Sequence, residues 1–126
     1  LDKANIMETT TKEGSGISRK IVNLNRSVFT PYDLEGSIQK DIHLLNISYD
    51  RTNGTGWYVM RMDPGATTVA HEHQKLEEFL ILEGELIESD GTVLTTGDFV
   101  SYAPGTSHNS RTHTGCLLIG LDRTPE

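Results

Sequence analysis

The chain has one cysteine, few aromatic residues, few basic residues and no long apolar run. Each shortage removes a class of protein. Cys116 alone cannot form an intramolecular disulfide, so no disulfide scaffold holds the fold, and no CxxC motif is present. It sits in the run CLLIGL, where a thiol packs as a small buried hydrophobe rather than serving as a nucleophile. No stretch approaches the ~18 apolar residues of a membrane helix, and no signal-peptide hydrophobic region is seen, so a cytoplasmic location is expected. Lys and Arg number 11 against 18 Asp and Glu, for a formal charge of −7. Phosphate binding needs clustered Lys and Arg, so neither nucleic acid nor an anionic membrane is an expected partner. Gly-rich phosphate loops and Ser/His/Asp arrangements are also missing.

What remains is a small β protein. At 126 residues the chain makes one domain, a size that buries roughly two-thirds of its unfolded surface. Residues 1–16 are polar and aperiodic and read as an arm. SRKIVNLN (18–25) reads as a short strand, and SVFTPYDLEGSIQ (27–39), with Pro31 and Gly36, as an irregular loop. The expected division is 1–40 for the arm and first strand and 41–126 for the barrel. From residue 41 short strands recur at 41–49, 55–62, 67–73, 77–89, 92–96, 98–103, 107–113 and 116–122, separated by turns such as Asp63-Pro64-Gly65 and Asp90-Gly91. No helical periodicity lasts ten residues there. Strands at this spacing predict an antiparallel sandwich or barrel.

Strand parity sorts the side chains. Glu77, Phe79 and Ile81 share one face, and Glu78, Leu80 and Leu82 the other. Both faces are apolar, so the N-terminal segment or a second subunit must cover the outside. By the same parity Ser110 and Thr112 lie with His108, while Asn109, Arg111 and His113 face away.

Two stretches carry the chemistry, GATTVAHEHQKLEEFLILEG (65–84) and GDFVSYAPGTSH (97–108). Residues i and i+2 of a strand point to one face, so His71 and His73 can aim at one point. Glu77 on the next strand and His108 from the second stretch can reach the same point. Three imidazoles and a carboxylate suit a divalent transition metal, Fe(II), Zn, Mn or Ni, and the ligands alone do not choose among them.

At these residues the sequence resembles the cupin superfamily. Gly65, His71, His73, Glu77 and Gly84 fit its first motif, G-x5-H-x-H-x(3,4)-E-x6-G. The second motif, G-x5-P-x-G-x2-H-x3-N, is kept at Gly97, Gly105 and His108. Pro104 comes one place late, after Ala103, and Thr112 stands where Asn is wanted. The texture LEEFLILEGEL, SDG and YAPGTSH is similar to the ChrR-like cupins, which include the zinc-binding domain of an anti-sigma factor and acetylacetone-cleaving dioxygenases. The resemblance implies an all-β jelly-roll barrel, a metal held by His71, His73, Glu77 and His108, and a homodimer. It also implies a small-molecule substrate or ligand. The expected activity is iron(II)-dependent, dioxygenase-type chemistry on a small oxygenated molecule such as a β-dicarbonyl. The alternatives are a zinc-binding sensor or regulatory module and a non-oxidative isomerase or hydrolase. Around the site, Tyr102, Tyr58 and Arg61 are pocket candidates. Trp57, Met60 and Met62 read as packing residues, and His43 and His113 as solvated side chains. No general base is evident beyond the ligands.

Overall fold

The computed structural model describes residues 7–12, 16–34 and 36–126, without the side chains of 7–12, Leu34 and His71. Among the described residues no helix forms. In chain order the strands are β1 (Met7–Lys12), β2 (Ile17–Val22), β3 (Thr30–Leu34), β4 (Ser37–Asn46), β5 (Gly56–Met62) and β6 (His71–Glu72). They continue with β7 (Leu76–Glu88), β8 (Val93–Thr95), β9 (Phe99–Tyr102), β10 (Ser107–His108), β11 (Ser110–Arg111) and β12 (Cys116–Arg123). Every ladder is antiparallel. β1 and β2 form a hairpin, β6 pairs β10, and the main sheet runs β11-β7-β12-β5-β4-β3, with β8 and β9 also on β7. The long strand β7 is the hub, since four others hydrogen-bond to it.

The core lies between the inner faces of these strands. Ile42, Met62, Phe79, Ile81, Leu86 and Leu118 are among its buried members. Cross-strand register arranges the inward residues in rows. Met62 stands opposite Cys116, Met60 opposite Leu118, Tyr58 opposite Gly120, and Glu77 opposite both Asp122 and Tyr102. Read along the strands, the interior passes from apolar to aromatic to carboxyl. The apolar end supplies the burial energy, roughly 1.5–3 kcal/mol per large side chain, and the polar end is free for chemistry.

Parity holds along the first half of β7, where Glu77, Phe79 and Ile81 are buried. It then breaks. Leu118 pairs with Ile81 but Leu117 with Glu83, so Leu82 is an extra residue, a β-bulge. Beyond it the even positions Leu86 and Glu88 turn inward, 1% and 4% exposed. On the outer face, Leu45 and Val59 are nonetheless 0% exposed. The chain ahead of β3 comes onto this face: the ring of Phe29 lies 4.0 Å from the Arg61 guanidinium, and Lys20 Nζ donates to the Ile47 carbonyl.

Several expectations are corrected. Residues 27–39 are not an irregular loop, because Thr30–Leu34 pairs with β4 across a turn in which Gly36 N–H donates to Asp33 Oδ1 at 2.8 Å. Pro31 is tolerated because β3 is the edge of the sheet and needs no further donor there. Residues 7–12, read as part of an aperiodic arm, form β1. The strand expected at 67–73 is reduced to His71–Glu72, with Thr67 making one isolated bridge to Arg111. His43 is not simply solvated, since its Nε2 lies 3.2 Å from the Asp63 carboxylate.

Gly84 sits just past the bulge with φ +81°, and a Cβ there would lie 2.0 Å from the Gly115 carbonyl oxygen. Both groups are backbone, so neither can yield. Gly84→Ala is expected to lower stability by about 3 kcal/mol or more in urea unfolding. Gly91→Ala, at φ +90° in open space, should cost only about 1–2 kcal/mol. Equal losses would show that the contact with Gly115 is unimportant.

Candidate metal centre

Near the start of β7 stands Glu77, a residue only 8% exposed at the polar end of the barrel. A buried carboxylate needs positive or hydrogen-bonding partners, and two imidazoles supply them. His108 Nε2 lies 2.9 Å and His73 Nε2 3.5 Å from Glu77 Oε1. The two rings stack with centroids 4.9 Å apart. One ligand atom from each of His73, Glu77 and His108 falls within 4.8 Å of the others. Two imidazole nitrogens and one carboxylate oxygen converging in this way form a mixed donor set that can hold a divalent cation. β6 brings His71 to the same place by its backbone, paired opposite His108. Its side chain lies outside the described residues.

His108 is held from behind as well. Its Nδ1 is 2.8 Å from Glu88 Oε2, and that carboxylate also accepts from Tyr102 Oη (3.0 Å) and Ser110 Oγ (2.6 Å). Burial works against the Glu88 charge, but the hydrogen bonds from His108, Ser110 and Tyr102 outweigh it and hold its pKa below the ordinary value. A proton kept on Nδ1 leaves the Nε2 lone pair facing the centre. Tyr102 stacks on the His108 ring at 4.3 Å, so two contacts fix this imidazole. Tyr58 Oη donates to Glu77 Oε2 at 3.3 Å. Its ring lies over Gly120, where a Cβ would come within 2.5 Å of it. The missing side chain on β12 lets Tyr58 reach Glu77.

Without a metal the site resolves its charge differently. Hydrogen bonds to Glu77 and then Glu88 raise the His108 pKa to about 9. The imidazolium then compensates the two carboxylates.

Two spaces adjoin the triad. A small cavity of about 60 Å³ lies between it and the apolar end, lined by Met60, Met62, Phe79, Leu86 and Leu118. On the other side an open cavity of about 610 Å³ reaches His73 and Glu77, lined also by Tyr32, Tyr49, Arg51 and Asp122. Burial and then the neighbouring Glu77 raise the Asp122 pKa to about 7.

Of the expected site residues, His73, Glu77 and His108 are brought together, and Tyr58 and Tyr102 touch them. Arg61 is not at the site, because its strand parity turns it to the outer face over Phe29. Glu88, Asp122, Tyr32 and Tyr49 were not anticipated. Unbroken parity turns Glu88 outward, and only reading Gly84 as the mark of a preceding bulge reverses it. Asp122 had a clearer signal, a carboxyl on the inward register of the apolar strand CLLIGLD. It also corrects the expectation that no acid–base group stands beside the ligands. Cys116 is buried, and burial followed by Glu88 raises its pKa to about 12, so it is an inert thiol.

The family description "ChrR Cupin-like domain" matches residues 32–122. No curated protein matches the chain. Solved structures share the fold at low identity. An RmlC-like cupin of Ralstonia eutropha JMP134 has a TM-score of 0.68 at 13% identity, with 81% of this chain and 66% of that one covered. A Salmonella typhimurium LT2 protein assigned as ethanolamine utilization protein Q has a TM-score of 0.70 at 17% identity, with 96% of each chain covered. The Rhodobacter sphaeroides complex of SigE with the anti-sigma ChrR has a TM-score of 0.55 at 15% identity, covering 65% of this chain and 45% of that one. The barrel described above is therefore the cupin jelly roll.

A histidine whose folded pKa, about 9, lies above its ordinary 6.5 stabilises the fold in its charged form. That contribution is fully present below pH 6.5 and is lost as pH rises through 9. Chelator-treated protein should accordingly melt at a lower temperature at pH 9.5 than at pH 6.5, and His108→Gln should flatten this difference. An unchanged slope in the variant would assign the titration to another group.

Proposed function

The chain belongs to the ChrR-like cupin family, and from that footing we propose that it is a metal-dependent enzyme of dioxygenase type. Its substrate would be a small oxygenated molecule, with a β-dicarbonyl as the most concrete case. The observation that carries this reading is the convergence of His73 Nε2, His108 Nε2 and Glu77 Oε1 at the inner end of an open cavity of about 610 Å³. That volume is ordinary for a small-molecule site. We take His71 as the fourth ligand, two residues from His73 and paired by backbone opposite His108.

A divalent metal there would supply Lewis-acid charge and, as iron(II), the redox capacity that dioxygen chemistry needs. The chain's own residues do the rest. Glu88 keeps the proton on His108 Nδ1 so that Nε2 faces the centre. Tyr58 restrains the swing of Glu77 through Oε2. Met60, Phe79 and Leu118 give the space behind the ligands an apolar lining, and low polarity there strengthens the electrostatic contacts of the site. The wider cavity admits the substrate from the opposite side.

A zinc-binding sensor is the second reading. It is favoured by the family description and by the structural likeness to the anti-sigma ChrR.

Elemental analysis of tag-free protein purified under low oxygen separates the two. Near-stoichiometric iron, with oxygen uptake on adding acetylacetone, is the expected result. Stoichiometric zinc without uptake would favour the sensor. His108→Ala should lose most bound metal and melt at a lower temperature, because metal binding is coupled to folding. Full metal content in that variant would overturn the ligand set.

A further inference from the structure

We propose that Asp122 is the group by which the 610 Å³ cavity reads its ligand, with the Asp122 carboxylate accepting a hydrogen bond from a hydroxyl or enol of a small hydroxy-carbonyl compound. The proposal rests on the functional reading above, and adds to it a recognition residue and a substrate class.

Three observations carry it. Asp122 Oδ1 is buried and has no hydrogen-bond partner, whereas native buried polar atoms are nearly all satisfied. Its other oxygen, Oδ2, has only a long contact from Tyr49 Oη at 3.4 Å. The one other such orphan among the described residues, Gln39 Oε1, belongs to a residue outside the lining of this cavity.

Second, Asp122 stands directly opposite Glu77 on paired strands, both on the inward row. Directly opposed residues have Cβ atoms about 5 Å apart. A molecule whose oxygen faces His73, Glu77 and His108 therefore puts a hydroxyl on the adjacent carbon, or the one beyond it, within reach of Asp122.

Third, Asp122 has no evident role in holding the fold. It lies beside another carboxylate, and the neighbouring Arg123 pairs with Glu78 instead. A buried acceptor without a partner, set next to a like charge, costs stability, and such costs collect at functional sites. The charges lining the cavity point the same way. Asp33, Glu72, Glu77 and Asp122 outnumber Arg51 and Lys75, so the cavity has no excess of positive charge to draw a polyanion. A neutral, hydroxyl-bearing carbonyl compound fits better.

The test uses the zinc-loaded protein, which is redox-inert, titrated by NMR with hydroxyacetone and with its methyl ether, methoxyacetone. Wild type is expected to bind hydroxyacetone about tenfold more tightly, the worth of one hydrogen bond to a charged group. Asp122→Ala should abolish that preference while keeping its zinc and melting at the same or a higher temperature. Asp122→Asn, which retains an acceptor oxygen, should keep most of the preference. Equal preference in wild type and Asp122→Ala overturns the proposal. So does a wild type that binds both probes alike or neither, or an alanine variant that melts well below wild type. Zinc content is measured on the same samples. A wild type that takes up no zinc sinks the metal-site reading and this proposal together. Stoichiometric zinc without discrimination sinks only the role of Asp122.

Discussion

One imidazole clamped between two buried carboxylates sets the terms for this end of the barrel. His108 meets Glu77 through Nε2 and Glu88 through Nδ1, at 2.9 and 2.8 Å. Glu77 and Glu88 belong to the same strand but approach from opposite sides of the ring. Either carboxylate alone in this setting would be a costly buried charge. Together with His108 they are tolerable. With the ring protonated, the arrangement is an internal ion triad. With Nε2 deprotonated, the ring and Glu77 present two donors that can hold a cation. The same atoms can thus serve folding without a metal and coordination with one, and the change between them is a single proton.

The barrel makes this possible by dividing its interior lengthwise. Ile81, Leu118, Met60 and Met62 fill one end. Gly120 stands at the border, where its lack of a side chain gives the Tyr58 ring room to cross from β5 towards Glu77. Beyond it in the register lie Glu77 and Asp122. A polar site can be dry and fixed here because the strands that carry it are anchored a few residues away in an apolar core.

Much of this was legible in the sequence. Short strands, turn dipeptides and the absence of helical periodicity point to an antiparallel barrel. The spacing from His71 through His108 marks the site, because metal chemistry demands particular side chains at particular intervals. What escaped reading depends on phase or on partners distant in sequence. β3 was hidden by Pro31, which argues against a strand unless the strand is known to be an edge. Arg61 looked available until its parity was fixed on the face covered by Phe29. Glu88 needed knowledge of the bulge, and Asp122 needed knowledge of which strand lies opposite Glu77. Side-chain type is local information, whereas register is not.

The bulge at Leu82 has a consequence for how this strand can vary. Glu77 and Glu88 both point inward only because one surplus residue lies between them. Residues of β7 can change in kind with modest effect, as long as size and polarity are kept. Changes in number have to respect that count. Losing the surplus residue would restore plain alternation, in which Glu77 and Glu88, then an even number of positions apart, still share the inner face. One further residue inserted with the bulge kept would instead rotate the far half of the strand and present an outward residue to His108 in place of Glu88. The segment is therefore open to substitution and to loss of its surplus residue but closed to single insertions, although a Gly- and Glu-rich stretch such as EGE ordinarily marks a place where chain length is free to drift.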